Sequence, residues 1–376
     1  MNTLLHKTGT KGVPVFLISL LAVSLVLSCK GTPLARSAGN ANVITVSTYK
    51  ELQLALGFFF DKTDNDAFIL QGFAVDGDVI KLAADLRAES NFGGAPADVV
   101  TGATVVVRKN VTIDGNGHTI DGNGYPVFDI DDTSAAIKNL TIKNGAYTAK
   151  VGGAMFVERD ATLWLDNVTF DGNKAKSQGV GNGGGAIYLN PHGSTGRPKV
   201  IAANSKFINN SVVGGGAVNY YAGGAIFGNN AYISLSNCSF ENNSATHGAA
   251  VSGSGTTKFN IADSTFTGNN TTVAGGAVLI NHGAAVSGGR GGANPALIKV
   301  TATLKGNTFS NNSSGLGSGD VVLARYYPDD AAYLTLFPVT TPPKTALTDA
   351  DKTEVLVISD TSIEDKTFAD ILRSAY

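Results

Sequence analysis

Residues Asn237 to Asn243 read "NCSFENN", and the chain repeats the phrase. "NVTFDGN" starts at Asn167, "NSKFINN" at Asn204, "DSTFTGN" at Asp263 and "GNTFSNN" at Gly306. Each copy sets a Phe three residues before an Asn: Phe170 and Asn173, Phe207 and Asn210, Phe240 and Asn243, Phe266 and Asn269, Phe309 and Asn312. Successive Phe residues lie 37, 33, 26 and 43 positions apart, so the unit is fixed while its connections vary. Such repetition marks one structural unit that stacks on its own copies, because a lone unit cannot bury its apolar face.

A second phrase, Gly-Gly-Ala plus an apolar residue, is interleaved with the first. It runs over Gly152–Met155, Gly184–Ile187, Gly215–Val218, Gly223–Ile226 and Gly275–Val278, with a degenerate copy at Gly248–Val251. Strand-like runs follow it, such as "AIYLN" and "AVLIN", and alternating runs such as "ATLWLDN" precede each Phe phrase. The alternation has period two, which is strand and not helix. Leu163 and Leu165 share one parity, Val168 and Phe170 the other, so a straight strand cannot bury all four; a corner at Asn167 can. Short strands joined by corners and stacked coil on coil make an all-β parallel β-helix, right-handed, the solenoid class of pectate lyases.

In that stack each strand lies ~4.8 Å from its copy in the next coil. The Phe side chains are expected to form an internal file. The Asn side chains are expected to form a ladder at a corner, since Asn both donates and accepts and tolerates left-handed backbone. The glycine pairs are expected where φ is positive or where coils approach too closely for a Cβ. A β-sandwich with similar turns is the competing fold, and five aligned phrases speak against it.

The alternation of "GGA(I/V/M)" with "FxxN" over Val151 to Asn312 resembles the repeats of the chlamydial polymorphic outer-membrane proteins. That resemblance implies a surface-exposed passenger with a role in adhesion or host contact. The chlamydial proteins carry their own barrel, whereas residues 321–376 are too few for one and are expected to form final strands and a C-terminal cap. The β-helix with its N-terminal cap is expected over 42–320. "TYKELQLALG" reads as a short helical lid, with Thr48 and Glu51 spaced as a capping box and Tyr49, Leu52, Ala55 and Leu56 on one face.

The start of the chain reads as a targeting segment. Lys7 and Lys11 precede "VPVFLISLLAVSLVLS", which is apolar but short for a membrane span. "VLSC" resembles a bacterial lipobox, which implies a signal peptide over 1–28, an acylated Cys29 and a linker over 29–41. An ordinary signal peptide cut nearby is the alternative. The expected location is then the outer membrane or cell surface of a diderm bacterium, with the lipid as membrane anchor. With Cys29 acylated, Cys238 has no disulfide partner and is expected to be a small buried residue.

Composition supports an ordered chain. Of 376 residues 43% are hydrophobic, 46 are Gly and only 15% are charged, with a net charge of −2 and no basic run. That balance lacks the footprint of a nucleic-acid binder. One acidic stretch, "IDGNGHTIDGNGYPVFDIDD", offers Asp114, Asp121, Asp129, Asp131 and Asp132 beside His118. Convergence of these groups with a base in a groove would indicate a carbohydrate lyase or hydrolase. Turn chemistry is the plainer reading, because Asp-Gly and Asn-Gly are corner dipeptides. His192, His247 and His282 have no ligand spacing, and neither a metal nor a cofactor is expected. Tyr220, Tyr221, Tyr326, Tyr327 and Tyr333, with the loop 281–296, are candidate contacts for a host protein or glycan, and packing under the C-terminal cap is the alternative reading of the tyrosines.

Overall fold

The computed structural model describes residues 41–61, 68–89, 103–147, 152–176, 182–191, 196–213, 221–283, 301–315, 320–326 and 356–358. Its strands stack in parallel into three principal sheets. One coil shows the plan. Thr162–Asp171 runs along the longest sheet and bends midway; Lys174–Lys176 joins a second sheet; Ile187–Asn190 joins a third; Lys199–Ala203 then lies directly on Thr162–Asp166. Such a chain is a parallel β-helix.

The bend at Asn167 solves the parity problem. Asn167 has φ 55°, a left-handed conformation that flips the alternation, and Leu163, Leu165, Val168 and Phe170 all face the core. Asn139, Asn204, Asn237 and Asp263 hold the same conformation in neighbouring coils. Their side chains link outside the core: Asn237 Nδ2 donates to Asn204 Oδ1 at 2.8 Å, and Asn167 Nδ2 to Asn139 Oδ1 at 3.0 Å.

Phe170, Phe207, Phe240, Phe266 and Phe309 lie in one file, with successive ring centroids 5.1, 4.7, 4.8 and 5.0 Å apart. The planes are within 10° of parallel, and the spacing is that of the strands carrying them. Backbone pairing therefore sets the ring geometry. The file opens on Ile142, which pairs with Phe170 in a coil written without Phe.

The Asn ladder runs beside it. Asn173, Asn210, Asn243 and Asn269 are fully buried. Each Oδ1 from Asn210 onward accepts from the backbone N–H and the Nδ2 of the preceding Asn, at 2.9 to 3.1 Å. Each Nδ2 from Asn210 onward also donates to the carbonyl of the preceding coil's Phe, at 2.9 to 3.0 Å. Their geometry corrects one expectation. The left-handed corner residues are the ones just before them: Gly172, Asn209, Asn242, Gly268 and Asn311. The buried Asn is chosen for its donors and acceptor, the residue before it for its backbone.

The Gly-Gly-Ala phrases stack too. Ala186 N–H donates to Ala225 O at 2.9 Å and Ala225 N–H to Ala250 O at 3.1 Å, so the degenerate "GAAV" copy is in register. A Cβ on Gly185 would lie 1.9 Å from Gly224 O, which explains glycine there by close approach. Gly223–Ile226 takes the coil position; Gly215–Val218 lies outside the described residues.

The N-terminal lid is helix Tyr49–Leu56 with a complete Thr48–Glu51 capping box. Tyr49, Leu52, Ala55 and Leu56 are buried. The Tyr49 hydroxyl donates to Ala103 O at 2.6 Å, and burial pushes its pKa well above the usual phenol range. Lys109 Nζ bonds Gly72 O and Ala74 O, fastening the segment after the lid to the first coils. At the other end Val321–Tyr326 extends the third sheet in parallel, and Leu356–Ile358 pairs antiparallel with Thr301–Lys305.

Candidate functional site

The five sequence-predicted acids separate into turns and a cluster. Asp114 and Asp121 edge turns. Asp114 Oδ1 accepts from Asn116 N–H at 2.9 Å, and Asp121 Oδ1 from Asn123 N–H at 2.8 Å. Asn116 and Asn123 are left-handed, as Asp-x-Asn-Gly corners require. Burial raises the Asp114 carboxyl, but the Asn116 amide, the Asn139 side chain and Lys138 outweigh it and hold its pKa below the usual range. Asp132 is an exposed left-handed corner. His118 turns to Asp85, with Nδ1 3.2 Å from Oδ1.

Asp129 and Asp131 behave differently. Both sit on strand Phe128–Asp131, whose alternation turns Phe128 and Ile130 into the core. The two acids therefore point out of the third sheet, yet their residues are only 9% and 3% exposed. The coils above and below supply the partners of Asp131. Asp131 Oδ2 accepts from Arg108 Nε at 2.7 Å, and Asp131 Oδ1 lies 3.3 Å from Arg159 Nη1, close enough for ion pairing but not aligned as a hydrogen bond. Glu158 is the register partner of Asp131. Asp129 Oδ1 is buried with no hydrogen-bond partner.

Burial, then the neighbouring Glu158 and Asp131 charges, push the Asp129 carboxyl up to about 8, against the pull of Arg108 and Arg159. At neutral pH Asp129 is thus mainly a neutral acid beside the arginine-bound Asp131. A carboxyl kept neutral by burial is one device that acid–base chemistry uses. Here it stands almost closed to solvent. Among the described residues no three His, Cys, Asp or Glu side chains are placed to hold a metal ion.

Glu158, Arg108 and Arg159 were missed from the sequence. The signal was register: "VVVR", "FDID" and "MFVE" are the same strand in consecutive coils. On the same outward side Phe156, Tyr188 and Phe227 form a buried row; Phe156 meets Tyr188 edge-on at 6.5 Å and Tyr188 stacks on Phe227 at 5.8 Å. Cys238 is buried, and burial pushes its thiol pKa up, which fits a packing role. Cys29, His192, Tyr220, Tyr327 and Tyr333 lie outside the described residues, as does most of the loop 281–296.

No family model matches the chain. A stretch of 94 residues is 38% identical to the probable autotransporter YfaL of Escherichia coli (strain K12). It spans 25% of this chain and 7% of that protein, so the similarity concerns a small part of the relative. Among solved structures, "L. reuters 100-23 SRRP" aligns over 77% of this chain and 98% of its own, with a TM-score of 0.32 and 13% identity. The cedar pollen allergen jun a 1 aligns over 89% of this chain and 88% of its own, with a TM-score of 0.32 and 14% identity.

Proposed function

We propose that this chain is an exported, surface-exposed β-helix, tethered to the membrane through lipid on Cys29 and acting in adhesion or another cell-surface contact. The observation that carries the reading is the 94-residue similarity to an autotransporter, on a stack whose repeated residues serve packing. The repeated Phe and Asn side chains lie inside, so the outer faces and loops are left to vary and to bind. The apolar leader ending in "VLSC" supports the lipid tether, and the "GGA"/"FxxN" grammar supports kinship with polymorphic outer-membrane protein repeats. The membrane is the expected partner at one end, and a host protein or glycan elsewhere.

The test is metabolic labelling with palmitate in cells expressing the wild-type or Cys29→Ser chain, followed by protease shaving of intact cells. The reading expects label and surface cleavage for the wild type and no label for the variant. Equal labelling of both, or complete protection from protease, contradicts it. A second reading, a carbohydrate-active enzyme, is favoured by the neutral Asp129 beside Asp131 and Glu158. It expects cleavage of a polysaccharide that Asp129→Asn abolishes.

A further inference from the structure

The outward side of the longest sheet carries a feature that packing does not explain. Trp164, the single tryptophan of the chain, is 49% exposed in the middle of that face. Leu163 and Leu165 on either side of it are buried, so the indole points squarely outward. Its neighbours across the coils are Ala136 and Ile201, which leave the ring standing clear.

The adjoining column reads Thr162, Lys199, Tyr232, Lys258 and Thr301 in register. Lys199 and Lys258 are exposed and Tyr232 is half-buried between them. Strand spacing puts the two ammonium-bearing positions roughly 10 Å apart along the stack, with an aromatic ring between. Acids border this face and hold partners of their own: Asp166 Oδ1 accepts from Asn204 Nδ2 at 2.8 Å, Asp160 Oδ1 from the Arg197 N–H at 2.8 Å, and Asp114 Oδ2 lies 3.4 Å from Lys138 Nζ.

We propose that this face binds an acidic polysaccharide, its pyranose rings lying against Trp164 and Tyr232 and its carboxylates pairing with Lys199 and Lys258. The chemistry is complementary. A pyranose ring offers a flat C–H face, which an aromatic face covers, and a polar rim that stays in water. Uronate carboxylates in a linear chain recur at regular intervals, as the two lysines do in alternate coils. Exposed lysine contributes through screened charge, so binding should weaken with salt. The proposal gives a face and a ligand class to the surface contact proposed above. It requires neither the lipid nor display on a cell, so its failure in solution leaves that reading intact.

The single tryptophan supplies the probe. The full chain is titrated with an alginate hexasaccharide, a neutral cellohexaose and polyaspartate of similar length, following tryptophan emission and calorimetry. The expected result is saturable binding of the alginate fragment with a change in Trp164 emission, and much weaker binding of the other two. Trp164→Ala should weaken affinity at least tenfold, and so should Lys199→Ser with Lys258→Ser, the latter also flattening the salt dependence. All three positions are exposed or outward, and unchanged circular dichroism confirms that the variants fold. Equal binding of polyaspartate would mean charge alone and would overturn the proposal. So would equal binding of cellohexaose, absence of binding to all three, or emission that shifts with protein concentration alone, which would show a second copy covering Trp164.

Discussion

Replacing Asn243 with Ala tests the buried ladder at its centre. Asn243 Nδ2 donates to Phe207 O and Asn269 Oδ1, both at 2.9 Å, and its Oδ1 accepts from the N–H and Nδ2 of Asn210, both at 3.0 Å. Asn269 Oδ1 keeps the backbone donor of residue 243. Two groups then lose their partners in a fully buried site, the Asn210 N–H and one Asn210 amide hydrogen, while the Phe207 carbonyl keeps the backbone donor that strand register sets on it. Each orphaned group costs ~1–3 kcal/mol, and partial relaxation brings the sum to about 4 kcal/mol. Asn237→Ala is the control. It removes one exposed bond, to Asn204, and puts Ala, which lacks the local polar bonding that eases Asn into left-handed backbone, at φ 52°, a change of about 1 kcal/mol. Urea unfolding followed by circular dichroism, with the slope checked for constancy, measures both. If Asn243→Ala costs no more than Asn237→Ala, the ladder does not hold the coils and the reasoning fails.

Phe240→Ala should cost ~3–5 kcal/mol, as deletion of a buried ring does, while Phe309→Ala at the half-buried end of the file should cost about half as much; equal losses in paired melts would contradict the stacked file. Asp129 binds its proton more tightly folded than unfolded, because its pKa is raised from 3.8 to about 8. Stability therefore falls as pH rises through that window, by up to about 1.4 kcal/mol per unit. Asp129→Asn should flatten the dependence of the melting temperature between pH 5 and 8, and a variant as steep as wild type would show that Asp129 is ionised throughout. Cys238 should resist iodoacetamide at pH 8 in the native chain and react fully in urea, as read by peptide mapping; rapid native labelling would contradict its burial.

The repeated coils were legible because their punctuation is local. An Asn-centred change of parity at Asn167 needs a left-handed residue, and a Phe three residues before an Asn recurs too often to be incidental. The capping box at Thr48 and Glu51 was legible for the same reason. What the sequence hid was register between coils. Nothing local joins Arg108, Asp131 and Glu158; they meet because strands separated by more than twenty residues lie side by side. The early coils lack the Phe that would have marked that alignment, Ile142 standing in its place. The buried Asn and the left-handed residue before it were merged into one role, because both are often Asn and adjacent. Two Gly-Gly-Ala phrases between Phe207 and Phe240 competed for a single coil position, and only pairing with Ile187 and Val251 selects Gly223–Ile226.

Excision of one whole coil tests the stack most directly. Removing residues 237–262 joins Ser236 to Asp263, which holds the same left-handed corner as Asn237 and stands 26 residues later, the Phe240 to Phe266 interval. Phe266 then lands on Phe207 and Asn269 on Asn210, so the shortened chain should keep a β-sheet spectrum and a cooperative melt, whereas removing only 237–249 should abolish both. Collapse of the 26-residue deletion to the same extent as the half-coil deletion would show that the chain is not built from interchangeable coils.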